Sequence, residues 1–149
     1  MSLFSVLSVS ASGMAAERTR AELLVENLAN SETTRTPEGG PYKRKDAVFS
    51  SAPQTSPFSA IFQTEVGSGV ESGVNGVEVS DVVEDTREPG KRYMPGHPDA
   101  DKDGYVAYPN VNPSEDMVDL MSASRNFQAN VAAMTAIKDM IMQSINLMK

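Results

Sequence analysis

The sequence contains no cysteine, no tryptophan and a single histidine, and only 6% of its 149 residues are aromatic. Without cysteine there is no thiolate nucleophile, no disulfide and no Cys-ligated zinc site. Basic residues are also in the minority, with 13 Lys and Arg against 20 Asp and Glu and a formal net charge of −7. Because nucleic acids and anionic lipids bind to basic surfaces, this balance argues against both as partners.

Long apolar runs are missing as well. No stretch approaches the roughly 18 apolar residues that a membrane-spanning helix needs, so we predict no membrane insertion. Residues 1–16 are apolar enough to resemble a secretory signal, but Arg18 is the first basic residue and serines interrupt the run. A secretory signal has basic residues before an unbroken apolar core. We therefore expect no cleaved signal peptide.

Both ends of the chain instead carry apolar residues at alternating steps of three and four. In the first segment this register runs from residue 3 to residue 28, and in the last from residue 117 to residue 148. Such a period predicts amphipathic helices or the seam of a coiled coil. Asn112 and Pro113 mark the beginning of the last helix, because Asn is a good N-cap and Pro fits the first helical position.

The middle of the chain differs in character. It is rich in Pro, Gly and Ser, and short β-like runs occur in it at 48–49, 58–66, 76–83 and 105–108. We predict an α+β fold with long N- and C-terminal helices packed as an antiparallel coiled coil and a small β-rich subdomain inserted between them. The predicted division is 1–36, 37–112 and 113–149. About thirty residues of helix at each end exceed what the middle could cover, which favours assembly with other subunits over a monomeric helical hairpin.

Possible sites of chemistry are few. Residues 99–104 match the opening of a calcium loop, but position twelve is Asn110 instead of a bidentate Glu. His97 is not accompanied by a nucleophile motif. The glycines at 67–73 do not have the spacing of a nucleotide-binding loop. Residues 43–45 form a basic triplet, which predicts a solvated patch. We predict no catalytic residue, no metal site and no cofactor. The alternative function is a periplasmic calcium- or metal-binding protein centred on His97 to Asp103.

A family resemblance adds to this reading. The run Asn27-Leu28-Ala29-Asn30, followed by Thr33, resembles the N-terminal signature of the bacterial flagellar axial proteins, which form the rod, the hook and the hook-associated segments. The proximal-rod members of that family also resemble this chain at 39–45, 95–101, 104–106, 109–112 and 123–130. The matches span residues 3–149 except for about 50–75.

This resemblance implies a structural protomer of the proximal rod that transmits torque across the periplasm and is exported unfolded through the flagellar type III apparatus. The implied partners are other rod proteins, the proteins of the junction between the MS ring and the rod base, the export apparatus and further copies of the chain. It also implies end helices that become ordered only when neighbours cover them. We predict an assembly interface at Leu24, Asn27, Leu28, Ala29, Asn30, Thr33, Leu120, Asn126, Phe127, Asn130, Val131, Met134, Ile141 and Ile145.

Overall fold

The computed structural model describes residues 3–53 and 75–147, and the side chains of residues 3 and 4 lie outside this description. Within these ranges the chain has two helices and two small sheets, so the predicted α+β class is confirmed. The elements in chain order are α1 (Leu3–Ala29), β1 (Lys45–Pro53), β2 (Asn75–Glu84), β3 (Gly90–Tyr93), β4 (Tyr105–Tyr108) and α2 (Pro113–Leu147).

Both helices begin and end close to their predicted limits. At the start of α2, the Asn112 Oδ1 accepts a hydrogen bond from the Ser114 N–H at 3.2 Å, and the Asn112 carbonyl accepts one from the Asp116 N–H at 3.0 Å. These bonds satisfy N–H groups that have no partner inside the first turn of a helix. The predicted N-cap is therefore confirmed. Neither described helix has the length and apolarity needed to cross a bilayer.

Three of the four predicted strand segments coincide with observed strands. Residues 48–49 lie in β1, 76–83 lie in β2, and 105–108 are β4. The segment 58–66 and the glycine loop at 67–73 fall outside the described residues. Strand β3 was not predicted, because its sequence Gly-Lys-Arg-Tyr has no apolar–polar alternation and all of its residues are exposed.

The sheets are two-stranded. β1 pairs with β2, and β3 pairs antiparallel with β4 in a register that places Gly90 opposite Tyr108 and Tyr93 opposite Tyr105. The turn after β3 closes at Gly104, whose φ of 81° is in the left-handed region. A Cβ at Gly104 would lie 3.0 Å from the Tyr93 ring, so glycine is required here both by the backbone and by the close aromatic contact.

The two helices contact each other in antiparallel order. Asn126 donates a hydrogen bond from Nδ2 to Glu17 Oε1 at 3.0 Å, and Arg20 forms an ion pair with Asp119 at 3.6 Å. Gly13 faces Asn130, and a Cβ at Gly13 would come within 3.1 Å of its amide nitrogen. The helices are therefore neighbours through small and polar side chains, while a coiled-coil seam between them stays a prediction.

The chain divides into two compact units, each built from parts of both helices and of the β segment. The end unit contains Met1–Arg18, Phe49–Ser80 and Arg125–Lys149, and the central unit contains Thr19–Val48 and Asp81–Ser124. Buried apolar residues of the central unit are Leu24, Tyr42, Val106 and Ala123, and those described in the end unit are Ala16 and Ile137. The predicted three-part division at 36/37 and 112/113 follows the order of elements along the chain and stays a prediction.

Candidate assembly surface

Helix α2 leaves most of its large apolar side chains exposed. Val131 is 41% exposed, Ile145 50%, and Leu147 88%. A soluble helix normally turns such residues toward a core, because burying apolar surface stabilises by about 25 cal/mol per Å². Six of these exposed residues lie on one side of the helix, within about 120° of one another at 3.6 residues per turn, and we call them the α2 stripe. They are Met117, Met121, Phe127, Val131, Met142 and Ile145, whereas Leu147 is exposed on another side.

The face of α2 that is buried within the chain lies beside this stripe. Asp116, Ala123 and Ile137 are buried, and each of them precedes a position of the predicted seam (117, 124 and 138) by one residue. One residue corresponds to about 100° around a helix of 3.6 residues per turn. The apolar periodicity in α2 therefore describes an outward surface, and the contact between the helices uses the adjacent small and polar positions.

The predicted interface residues fall into different environments. Leu24 and Asn27 are buried inside the chain, whereas Phe127, Val131 and Ile145 are exposed members of the α2 stripe. Asn126 and Asn130 lie in the helix–helix contact described above. Half-buried positions are Leu28, Asn30, Thr33, Asn130, Leu120, Met134 and Ile141, and Ala29 is exposed. Their participation in contacts with other subunits stays a prediction.

Asn27 joins the end of α1 to the start of β1. Its Oδ1 accepts hydrogen bonds from the Tyr42 hydroxyl and the Lys45 N–H, both at 2.9 Å, and its Nδ2 donates to the Lys45 carbonyl at 2.8 Å. The Asn27 side chain is fully buried. A buried amide with three partners fixes one path for the chain between the two elements. Burial, and then the neighbouring Glu26 carboxylate, raise the pKa of Tyr42 to about 12, so its hydroxyl remains a donor.

Arg44 and Asp116 form a second buried polar contact. Arg44 Nη2 lies 3.1 Å from Asp116 Oδ1, and it also approaches Asp46 at 3.3 Å and Asp119 at 4.0 Å. The Asp116 carboxylate is fully covered, yet neither of its oxygens has an aligned hydrogen-bond partner in the described part of the chain. Burial raises the pKa of the Asp116 carboxyl, and the Arg44 guanidinium opposes that rise.

This geometry corrects the prediction for the basic triplet 43–45, because only Lys43 is mainly solvated. Arg44 is 15% exposed and serves the buried ion contact, and Lys45 Nζ forms a 2.7 Å ion pair with Glu26. Sequence pattern alone could not link Arg44 to Asp116, since the two residues are distant in the chain and lie outside the apolar register.

The segment 97–103 uses its polar atoms in contacts within the chain. Asp99 Oδ2 accepts from the Thr34 hydroxyl at 2.8 Å, and Asp101 Oδ1 accepts from the N–H groups of Asp103 and Tyr105. His97 Nδ1 accepts from the Asp99 N–H at 3.2 Å. Among residues 3–53 and 75–147 no group of three or more His, Asp or Glu side chains is arranged to hold a metal ion. This arrangement is that of a turn held by aspartate side chains.

Comparison with known proteins decides the family. Residues 102–147 match the family described as flagellar basal body rod FlgEFG protein C-terminal. The chain is 40% identical over 153 residues to the flagellar basal-body rod protein FlgC of Bacillus subtilis, with complete coverage of both chains. It is also 35% identical to the FlgC of Borreliella burgdorferi, covering 100% of this chain and 99% of the relative. This chain belongs to the FlgC family of flagellar basal-body rod proteins.

A further FlgC relative comes from another bacterium. The protein of Salmonella typhimurium is 34% identical over 147 residues, with 99% of this chain and 98% of the relative covered. Since the FlgC similarity runs through both helices and the β segment, the resemblance seen in the sequence motifs is confirmed for the chain as a whole. FlgC is a structural rod family of the flagellar basal body and not an enzyme family.

Proposed function

We propose that this chain is a structural protomer of the proximal rod of the flagellar basal body, which polymerises through its terminal helices and transmits torque across the periplasm. The observation that carries this proposal is the α2 stripe, an apolar surface left outside on a helix of 35 residues. Contiguous exposed apolar surface is characteristic of a site of protein association. A member of the FlgC family with such a surface has the contact face that a rod protomer needs.

The free energy that each apolar side chain can contribute is small, which indicates that many contacts act in parallel. Fully burying one Val or Phe side chain stabilises by about 1.5–3 kcal/mol. Val131 and Phe127 are 41% and 37% exposed, so covering the remainder contributes only a part of that amount for each residue. The methionines of the stripe are flexible and adapt to differently shaped neighbours. A rod held by several such residues per subunit distributes torque over the whole helix.

The partners follow from this role. They are other proximal and distal rod proteins, the proteins of the junction between the MS ring and the rod base, further copies of the chain, and the type III apparatus that exports it. Ordering of the helix ends on assembly also belongs to this proposal. Its support is that residues of the distal half of α2, such as Met142 and Leu147, have little cover within the chain.

Val131→Asp tests the role of the stripe. A carboxylate at this position would be desolvated in the rod without a partner, which costs several kcal/mol. We expect the purified variant to keep the helix content of the unchanged chain by circular dichroism, while basal bodies isolated from cells lack rods and the cells do not swim.

Ala129→Asp is the matched control. It adds the same charge to an exposed position of the same helix, about 200° away from Val131 at 3.6 residues per turn. We expect this variant to assemble. Normal rods containing Val131→Asp would refute the stripe as the assembly surface, and so would equal loss of assembly in both variants.

A further inference from the structure

The central unit contains a basic cleft, although the chain as a whole is acidic. The cleft has a volume of about 630 Å³ and lies where β3 and the segment after β4 approach the start of α2. It is open to solvent and more polar than apolar in its lining. Its charged residues are four cations against two anions, namely Arg44, Arg87, Lys91 and Arg92 against Glu88 and Glu115.

The cations of the cleft differ in how far they are already paired. Arg87 forms a 2.6 Å ion pair with Asp85, and Arg44 serves the buried Asp116. Arg92 packs its guanidinium over the Tyr108 ring at 4.7 Å, which holds the side chain in place, and among the described residues its N–H groups have no carboxylate partner. Lys91 is exposed beside it on β3. Lys91 and Arg92 are therefore the cations with capacity for an incoming anionic group.

Strand β2 presents the complementary charge. Glu78, Asp81 and Glu84 lie within seven residues and are all exposed. Two of them already have partners within the chain, since Glu84 lies 3.7 Å from the Lys43 ammonium and Glu78 accepts a hydrogen bond from the Ser50 hydroxyl at 3.5 Å. Among the described residues, the Asp81 carboxylate has the local Val82 N–H as its partner. Asp81 is thus the β2 carboxylate with capacity for a cation of another subunit.

From this complementarity we propose that the basic cleft of one subunit receives the carboxylates of β2 from a second copy of the chain, with Arg92 and Lys91 pairing Asp81. The proposal rests on the rod function above and names one contact between copies. Protomers that each carry a net charge of −7 repel at long range, and a local match of opposite charge offsets this and fixes orientation. Because the cleft and β2 are different surfaces, the contact repeats head to tail and generates an open helical assembly instead of a closed dimer.

Crosslinking tests this contact directly, because the chain has no cysteine of its own. Two differently tagged chains, one with Arg92→Cys and the other with Asp81→Cys, are expressed together, and isolated basal bodies are treated with a short bismaleimide. A bismaleimide is preferred to a disulfide because side chains that form an ion pair place their Cα atoms farther apart than a disulfide spans. We expect a heterodimer that carries both tags.

The matched control replaces Arg92→Cys by Lys102→Cys, an exposed position in the turn after β3. We expect roughly tenfold less heterodimer, which corresponds to ~1.4 kcal/mol of preference for the proposed arrangement. Basal bodies with normal rods and no Arg92–Asp81 crosslink, or with equal yields for both pairs, would overturn this contact and leave the rod function standing. Loss of the rod function would instead appear in the Val131→Asp experiment.

A charge exchange covers the case in which the cysteine variants do not enter basal bodies. Lys91→Glu together with Arg92→Glu should reduce the amount of the chain in basal bodies, and adding Asp81→Lys in the same chain should restore it, since every copy then carries both halves of the reversed contact. Normal incorporation of the chain with both glutamates, or absence of rescue when Asp81→Lys is added, contradicts the proposal.

Discussion

The central and end units are stabilised by different chemistry. In the central unit the amide of Asn27 is fully buried with three hydrogen bonds inside the chain, and Arg44 reaches the covered carboxylate of Asp116. In the described part of the end unit, Ala16 and Ile137 are the buried apolar residues, while Leu147 is 88% exposed. Both units leave large apolar side chains exposed, among them Met117 and Met121 in the central unit, and the two buried polar links lie in the central unit.

This difference separates two tasks within one chain. Buried polar groups specify a single arrangement, since any other arrangement leaves a desolvated donor or acceptor without a partner. Exposed apolar side chains specify little by themselves, but they associate with many surfaces at similar cost. The buried polar links of the central unit are thus suited to setting the path of the chain, and the exposed apolar residues of both units are suited to contacting neighbours.

Removing the guanidinium of the central unit should have the largest effect. Arg44→Met keeps an apolar stem and leaves Asp116 buried without a cation, so we expect the free energy of unfolding at pH 7 to fall by about 3 kcal/mol. Burial raises the folded-state pKa of Asp116, so this carboxyl favours the folded state at pH below its ordinary value and loses that contribution as pH rises through the raised value. The loss in Arg44→Met should accordingly be smaller near pH 4 than at pH 7.

Urea unfolding measures this change, and hydrogen exchange locates it. In Arg44→Met, the protection of backbone amides against hydrogen exchange should decrease in residues 113–124 and stay the same in 125–147. Lys43→Met is the control, because the Lys43 side chain is 65% exposed and its ion pair with Glu84 is long at 3.7 Å. We expect an effect below about 0.5 kcal/mol for that variant. Equal stability of Arg44→Met and the unchanged chain would contradict the assigned role of the buried contact.

Asn27→Leu should have the next largest effect on stability. It leaves the Tyr42 hydroxyl and both backbone groups of Lys45 without their partner, and unsatisfied buried groups cost about 1–3 kcal/mol each. We expect a loss of about 2 kcal/mol in urea unfolding, because some of these groups would regain water. Asn30→Leu is the control on the same helix, since Asn30 bonds only to the nearby Glu26 carbonyl and Thr33 hydroxyl and is half-exposed.

If both Asn variants lost the same stability, the distinction between a long-range link at Asn27 and local bonds at Asn30 would fail. An unchanged Asn27→Leu protein would show that the path from α1 to β1 is fixed by other contacts.

The smallest expected effect is on the pH at which Tyr42, in the central unit, ionises. Tyr42 has its pKa raised to about 12 by burial and by Glu26, so its hydroxyl should ionise at a higher pH in the folded chain than in the unfolded chain. A tyrosine in the unfolded chain ionises near pH 10, so the contribution of Tyr42 to stability is complete below pH 10 and is lost as pH rises through 12. Ultraviolet absorbance of tyrosinate measures this step, and Tyr42→Phe should remove it. Ionisation of Tyr42 near pH 10 in folded protein would contradict it.

Much of the fold was predictable because its signals are local. The three–four periodicity placed both helices within a residue or two of their observed limits, and Asn112-Pro113 located the start of α2. Alternation identified β2 and the Tyr105–Tyr108 strand. β3 was missed because four exposed residues carry no periodic signal, and Lys43-Arg44-Lys45 was read as solvated because the partners of Arg44 lie about seventy residues away.

The sequence by itself determined the helices, the apolar character of α2 and, through its motifs, the family. Only the tertiary structure decided which face of α2 is buried. Periodicity measures how apolar residues repeat and not where they point, and here Gly13 against Asn130 and the polar pairs Glu17–Asn126 and Arg20–Asp119 occupy the helix–helix contact. Small residues let the helices approach closely and polar pairs fix their register, so the large apolar side chains of Val131 and its neighbours remain outside.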